Sequence, residues 1–372
     1  MSKQYDVVMA LNYYAPYVSG LTDAARLVAE ELVTRGLHIK VITCRHDPGL
    51  PLAETVNGVD VVRTPVVARI GKGLISPTFV STAIRHGRRA KLVNLHLPMI
   101  ESGPIALGLG STPVVVTYQC DISLPASLVN TAQTKVMDAS NALAMRRADA
   151  IVPSSADYAA SSRLRERMTA DKTRPISPPT RLYPDAEPTF RSTSGLHVGF
   201  LGRLVEEKGL EYLVDGFRKL QDPDARLLIG GDYSKVAGGS VVKLVRARMG
   251  DDDRIQLLGF LADADLPSFY ASLDVFALPS VNSFEAFGIV QIEAMRRGVA
   301  ALASDLPGVR MPVRTTDFGV IVPPRDSDAI AAELQRLSEH PLDRTAGAER
   351  SNEAYSLTKT VDEYLALFDS LT

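Results

Sequence analysis

Cysteine is scarce in this 372-residue sequence: Cys44 and Cys120 are the only two. Two cysteines make no disulfide framework and no sulfur-based metal site. Long apolar runs are missing as well. None reaches the ~18 residues that a membrane span needs. The opening Met-Ser-Lys-Gln-Tyr-Asp leads straight into the strand-like run Val7–Leu11. That run is too short, and too acidic at its front, for a secretory signal. A cytoplasmic protein is the expectation. Neither a Walker lysine pattern nor a dinucleotide glycine fingerprint occurs.

Net charge is nearly absent too, at −2, yet it is unevenly spread. Residues 1–185 carry +6 and the remainder −8. The basic excess gathers at Arg69, Lys72, Arg85, Arg88, Arg89 and Lys91, and again at Arg163, Arg165, Arg167, Lys172 and Arg174. Such a patch suits an anionic acceptor or peripheral contact with a membrane surface, or is a solvated helix face. No aromatic residues alternate with these charges, which argues against a nucleic-acid partner.

What is present is alternation. Strand-like runs at Val7–Leu11, Ile39–Thr43, Val59–Thr64, Leu92–Leu95, Val114–Tyr118 and Ala150–Pro153 interleave with helical patterns at Thr22–Arg35, Thr78–Arg89, Ile100–Leu109, Gln133–Arg147 and Ser155–Met168. Near-continuous apolar strands between helices predict a parallel sheet covered on both faces. Such a sheet binds ligands outside the carboxyl ends of its strands. Arg174–Pro188 carries five prolines and reads as a semi-rigid linker. The alternation then restarts, with strands at Val198–Leu201, Arg226–Ile229, Ile255–Leu258, Val275–Leu278, Val299–Ala303 and Val320–Val322. Helices are expected between them at Leu210–Leu220, Val241–Met249, Leu266–Leu273, Phe287–Arg297 and Asp328–Leu337. The fold class is α/β, in two similar units: 1–185, 186–355, and a terminal helix within 356–372. Val361, Tyr364, Leu365, Phe368 and Leu371 form an apolar stripe on that helix, which needs a groove.

Two stretches carry chemistry. In Gly199–Gly209 a strand ends at Leu201, Gly202 lets the chain turn, and Arg203 and Lys208 project at the strand's carboxyl end. Fork and point charge together can neutralise a diphosphate. A plain turn with surface charges is the other reading. In Leu278–Gly298 a polar loop with Glu285 precedes a helix containing Glu293. A carboxylate beside helix-start amides can hold a polyol and a phosphate together. Asp263/Asp265 and Asp326/Asp328 sit just before helices, where Asp caps amides, and no metal is expected.

The run Gly-Arg-Leu-Val-Glu-Glu-Lys-Gly, followed some eighty residues later by Glu-Ala-Phe-Gly-Ile-Val-Gln-Ile-Glu-Ala-Met, resembles the donor-binding signature of the retaining family 4 glycosyltransferases. The resemblance covers nearly the whole chain. It implies the GT-B fold, two Rossmann-like domains facing across a cleft, with the terminal helix packing back on the first. It implies a nucleotide diphosphate sugar as co-substrate and no cofactor. Carried over by residue, Arg203 and Lys208 hold the diphosphate. Glu285 contacts sugar hydroxyls, and the amides of Phe287, Gly288 and Ile289 meet sugar and phosphate. Glu293 hydrogen-bonds the ribose.

In the first half, Tyr14–Thr22 resembles the family's glycine-rich loop. Ser19 stands where a glycine is usual, and Gly20 remains. Gln119 replaces the usual His in Thr-Tyr-Gln-Cys-Asp. Gln can hydrogen-bond but not ionise, which removes a general base there. Asp121 reads as an acceptor-binding carboxylate or a loop cap, and His96 as an acceptor-side or structural residue. The function implied is sugar transfer to a soluble acceptor. A membrane lipid or cell-envelope glycan acceptor is the alternative. A sugar-nucleotide epimerase or a non-catalytic nucleotide-sugar binder ranks below both.

Overall fold

The computed structural model describes residues 4–71, 73–122, 127–233 and 240–372. Lys72 of the basic cluster lies outside them. The chain divides into two compact units, Met1–Pro179 with Leu357–Thr372, and Thr180–Ser356.

In the first unit the strands are β1 (Tyr5–Ala10), β2 (Ile39–Cys44), β3 (Ala53–Val56), β4 (Val59–Thr64), β5 (Ala68–Ile70), β6 (Gly73–Ile75), β7 (Ala90–Leu97), β8 (Val114–Tyr118) and β9 (Ala150–Pro153). The main sheet runs β3-β4-β2-β1-β7-β8-β9, and β5 pairs with β6 separately. All main-sheet pairings are parallel except β3 with β4. The strand order reverses between β1 and β7, so the sheet's ligand crevice belongs outside their carboxyl ends. Strand β3 was not expected, because Ala-Glu-Thr-Val has no apolar run and alternates between exposed and half-buried positions. Its signal was the Asn57-Gly58 turn, where both residues have positive φ as a tight hairpin demands.

The terminal helix, Leu357–Asp369, belongs to this unit. Val361, Tyr364 and Phe368 are buried in the core formed by β1, β2 and the helix Gly20–Thr34. Burying each stabilises by roughly 1.5–3 kcal/mol. Tyr364 Oη also lies 3.1 Å from Thr117 Oγ1 on β8.

In the second unit β10 (His197–Leu201), β11 (Arg226–Gly230), β12 (Ile255–Gly259), β13 (Val275–Leu278), β14 (Ala300–Ser304) and β15 (Gly319–Val322) form one parallel sheet, ordered β12-β11-β10-β13-β14-β15. Here the order reverses between β10 and β13. The two-sheet α/β architecture expected from the alternation is therefore present.

Three helices depart from the pattern. Ser155–Met168 breaks into a helix at Ala156–Ser161 and a short 3-10 turn at Arg165–Arg167, because the Ser162 hydroxyl turns to Asp121. Met311–Thr316 and Arg344–Ala354 were not expected. The latter buries only small residues, Gly347 and Ser351, so it shows no apolar stripe. A Cβ at Gly347 would sit 2.2 Å from the Phe318 ring. Among the described residues no helix is long and apolar enough to cross a membrane.

Candidate active site

The loops leaving β10 and β13 are neighbours at the strand-order reversal of the second sheet. Val281 N donates to Glu207 O at 3.0 Å and ties them together. Gly209 has φ +62°, and a Cβ there would meet Pro279 O at 2.2 Å. Only glycine allows that approach. The result brings Lys208 against Glu285, as an ion pair of two largely buried side chains. The hydroxyl of Ser280, fully buried, lies 3.5 Å from the same Glu285 oxygen. Arg203 is more exposed and donates to Glu207 at 3.1 Å. Gly202 N continues the sheet by donating to Gly230 O at 3.1 Å.

After Glu285 the chain turns through Phe287 and Gly288 into the helix Ile289–Met295. Phe287 anchors the turn by burying its ring against Tyr355. Gly288 has φ +82°, with no space for a Cβ beside Leu278. The helix therefore starts at Ile289, later than expected. Gln291, fully buried, donates to the carbonyls of Phe287 and Val309 at 2.8 Å each. It pins the turn from inside. Its residue type alone assigned it no role in the sequence.

Glu293 is 8% exposed, not a surface helix residue. Tyr270 Oη donates to Glu293 Oε2 at 3.0 Å. Tyr270 is fully buried in an aromatic cluster with Tyr183, Phe269 and Phe276. Burial first, and then the Glu293 charge, push its phenol pKa far up. It stays a donor.

In the first unit the expected acceptor residues divide. His96 and Gln119 come together, His96 Nδ1 lying 3.4 Å from Gln119 Nε2. His96 Nε2 is buried without a hydrogen-bond partner. Burial lowers its pKa to about 4, so the ring is neutral. Asp121 proves to be a loop anchor. Its carboxylate accepts from Tyr118 Oη at 2.6 Å, Ser162 Oγ at 3.0 Å and Arg163 N at 3.2 Å. Of the two readings of Asp121, these three bonds support the loop cap. Ser19 is likewise engaged, as the cap of Gly20–Thr34. Its Oγ accepts from Thr22 N, and Thr22 Oγ1 accepts from Ser19 N. Its backbone is extended, so a side chain replaces glycine there without strain. Gly20 begins that helix, exposed.

Sequence reasoning missed Glu101. It follows β7, and its Oε2 accepts from Asn12 Nδ2 at 3.3 Å. It also missed Arg63, fully buried, which donates to Ala15 O at 2.8 Å and pairs with Glu54. Arg63 thereby holds the loop that leads to Ser19.

Of the two Asp-x-Asp pairs, only Asp326 caps its helix, accepting from Asp328 N and Ala329 N. Asp265 makes no side-chain cap, and Asp263 pairs with Arg181 at 2.8 Å. Among the described residues no three His, Cys, Asp or Glu side chains are grouped to hold a metal.

Residues 188–354 match the family described as "Glycosyl transferases group 1", and residues 19–179 match a "Glycosyl transferase 4-like domain". Mannosylfructose-phosphate synthase of Agrobacterium fabrum is 28% identical over 184 residues, 46% of this chain and 40% of that protein. The match thus spans about two fifths of that relative's length. Sucrose-phosphate synthase of Thermosynechococcus elongatus has a similar structure, with TM-score 0.78 and 21% identity over 98% of both chains. HepE of Anabaena, solved in complex with UDP-glucose, gives TM-score 0.74 and 17% identity over 99% of this chain and 100% of that one. At those identities the likeness shows the fold, which is GT-B.

Proposed function

The chain belongs to the group 1 glycosyltransferases of family 4, and from that premise we propose that it transfers a sugar, with retention, from a nucleotide diphosphate sugar to a hydroxyl of a soluble acceptor. The observation that carries this reading is the meeting of Lys208 and Glu285 at the sheet's reversal point. One can neutralise a phosphate and the other can hold a sugar's hydroxyls. Arg203 joins Lys208 on the diphosphate, the Phe287–Ile289 turn offers backbone amides, and Glu293 takes the ribose.

In this scheme the acceptor oxygen bonds to the anomeric carbon on the face from which the diphosphate departs. The carbon–oxygen bond to phosphate breaks, and a phosphate oxygen takes the acceptor proton. Gln119 cannot ionise, and His96, with its pKa lowered to about 4, is a weak base. Both favour the donor's own phosphate as proton acceptor. Lys208 and Arg203 stabilise the charge that develops on the leaving group.

A soluble acceptor is favoured over a membrane one because much of the basic excess is internally engaged. Arg88 donates to Gly108 O, Lys91 pairs with Asp6, Arg163 with Asp138, and Lys172 donates to Ala148 O.

A thermal-shift panel of nucleoside diphosphates and their sugars tests the donor. A ligand at a hundredfold excess over its Kd stabilises by about 2.7 kcal/mol. Arg203→Ala and Lys208→Ala each lower kcat by about 10²-fold or more. Unchanged turnover of every accepted donor in both variants overturns the proposal. Conversion of donor alone to another nucleotide sugar indicates an epimerase. Tight binding without turnover indicates a binder, and salt-sensitive binding to anionic vesicles the lipid alternative.

A further inference from the structure

The first sheet's own reversal point carries a group of side chains that the donor chemistry does not use. Strand β1 lies between β2 and β7, so the loops after these three strands adjoin. They carry Asn12, Tyr13 and Tyr17 after β1, His46 after β2 and Glu101 after β7.

Glu101 stands at the start of the helix Ser102–Gly108 but does not cap it with its side chain. Among the described residues no cation pairs with it. Asn12 Nδ2, at 3.3 Å, is its side-chain donor. Burial raises its pKa. An ionised carboxylate has about four acceptor sites, and a desolvated one is costly unless donors fill them. The main chain at Asn12 is fixed, since its backbone carbonyl accepts from Cys44 N and from Thr43 Oγ1, both at 3.1 Å.

Beside it is an aromatic cluster. The rings of Tyr13 and Tyr17 lie 4.4 Å apart, and His46 lies 5.9 Å from the first and 5.5 Å from the second. All three are half-buried. His46 Nδ1 is buried without a hydrogen-bond partner. Burial and the nearby Arg63 charge lower the pKa of this imidazole.

We propose that Glu101, Asn12 and the Tyr13–Tyr17–His46 cluster form an acceptor subsite for a cyclic polyol, a sugar or cyclitol ring. Such a ring has an apolar C–H face, which packs on aromatic rings, and hydroxyl donors on its edge, which the carboxylate needs. A flat phenolic aglycone would use the rings but leave Glu101 short of donors. The acyl chains of a lipid would supply no donors at the carboxylate. The inference rests on the glycosyltransferase reading and names its acceptor class.

The test uses the full chain and the nucleotide sugar giving the largest thermal shift. Nucleoside diphosphate release is followed alone and with D-glucose, maltose, myo-inositol or 4-nitrophenol. At least one cyclic polyol accelerates release and yields a glycosylated product. Glu101→Gln and Tyr13→Ala then lower acceptor kcat/KM at least tenfold, while the donor Kd holds. Tyr13→Phe, which keeps the ring, retains most of it. Acceleration by 4-nitrophenol alone, by none of these compounds, or unchanged acceptor kinetics in both loss variants overturns the subsite. Failure of every nucleotide sugar to bind or turn over instead overturns the activity on which it rests.

Discussion

Lys208 and Glu285, 77 residues apart in the chain, form an ion pair at the carboxyl edge of the second sheet. Their side chains are 15% and 16% exposed. Removing one partner of a largely buried pair leaves a charge uncompensated. In the proposed reaction neither partner needs the other once a donor is bound. The diphosphate replaces Glu285 at Lys208, and sugar hydroxyls replace Lys208 at Glu285. The pair thus keeps both groups neutralised and aimed until the donor divides them.

That exchange predicts effects of opposite sign. Glu285→Gln frees Lys208 from its competitor, so affinity for the nucleoside diphosphate without sugar rises, by several-fold. Turnover of the sugar nucleotide falls in the same variant, because the sugar loses its carboxylate. Lys208→Ala lowers both. Calorimetry with the nucleoside diphosphate and a turnover assay separate the two quantities. Diphosphate affinity that falls in Glu285→Gln shows that the carboxylate supports the phosphate site rather than competing for it.

The parts of this arrangement differ in how far they could be read beforehand. The apolar runs on β1, β7 and β8 announced a buried parallel sheet, because burial on both faces leaves no polar alternation. Edge strand β3 lacked that signature, and only its Asn57-Gly58 turn marked it. The motif resemblance singled out Lys208 and Glu285 as candidates, but their meeting depends on Gly209 lying against Pro279, a tertiary contact. Asp121 shows the reverse. Its position left a ligand contact and a loop cap both open, and the donors that support the cap, Tyr118 and Ser162, lie 3 and 41 residues away in sequence. A partner as distant as Ser162 leaves no periodic trace. The same holds for Tyr270, whose phenol reaches Glu293 from a helix 23 residues earlier.

Tyr270→Phe removes that phenol and leaves the aromatic packing in place. Losing one donor to a buried carboxylate costs about 1–3 kcal/mol. If Glu293 holds the ribose, the loss also frees its rotamer, and preorganisation at the ribose declines. The expected outcome is a reduced preference for the ribonucleoside diphosphate over its 2′- and 3′-deoxy analogues, measured as a ratio of Kd values. The ratio, rather than either affinity, reports positioning. A lower melting temperature with an unchanged ratio assigns Tyr270 to stability alone.

His96 gives the fold an acid sensitivity with a defined window. Its ordinary pKa of 6.5 is lowered to about 4 by burial, with Nε2 unpartnered. Between these values the unfolded chain binds a proton that the folded chain excludes. Stability therefore rises with pH across the window, is complete above pH 6.5, and is lost as pH falls toward 4. Integrated from pH 7.5 to pH 5, this single group accounts for roughly 2 kcal/mol. His86, lowered to about 4 by burial and by Lys40, Arg85 and Arg89, adds to the same slope. His96→Gln removes the titration while keeping a polar side chain beside Gln119. Denaturant unfolding of both proteins at pH 7.5 and pH 5 then shows a smaller acid loss in the variant, with His86 still contributing. Equal losses in the two proteins would show that His96 takes up its proton in the folded state as readily as in the unfolded one.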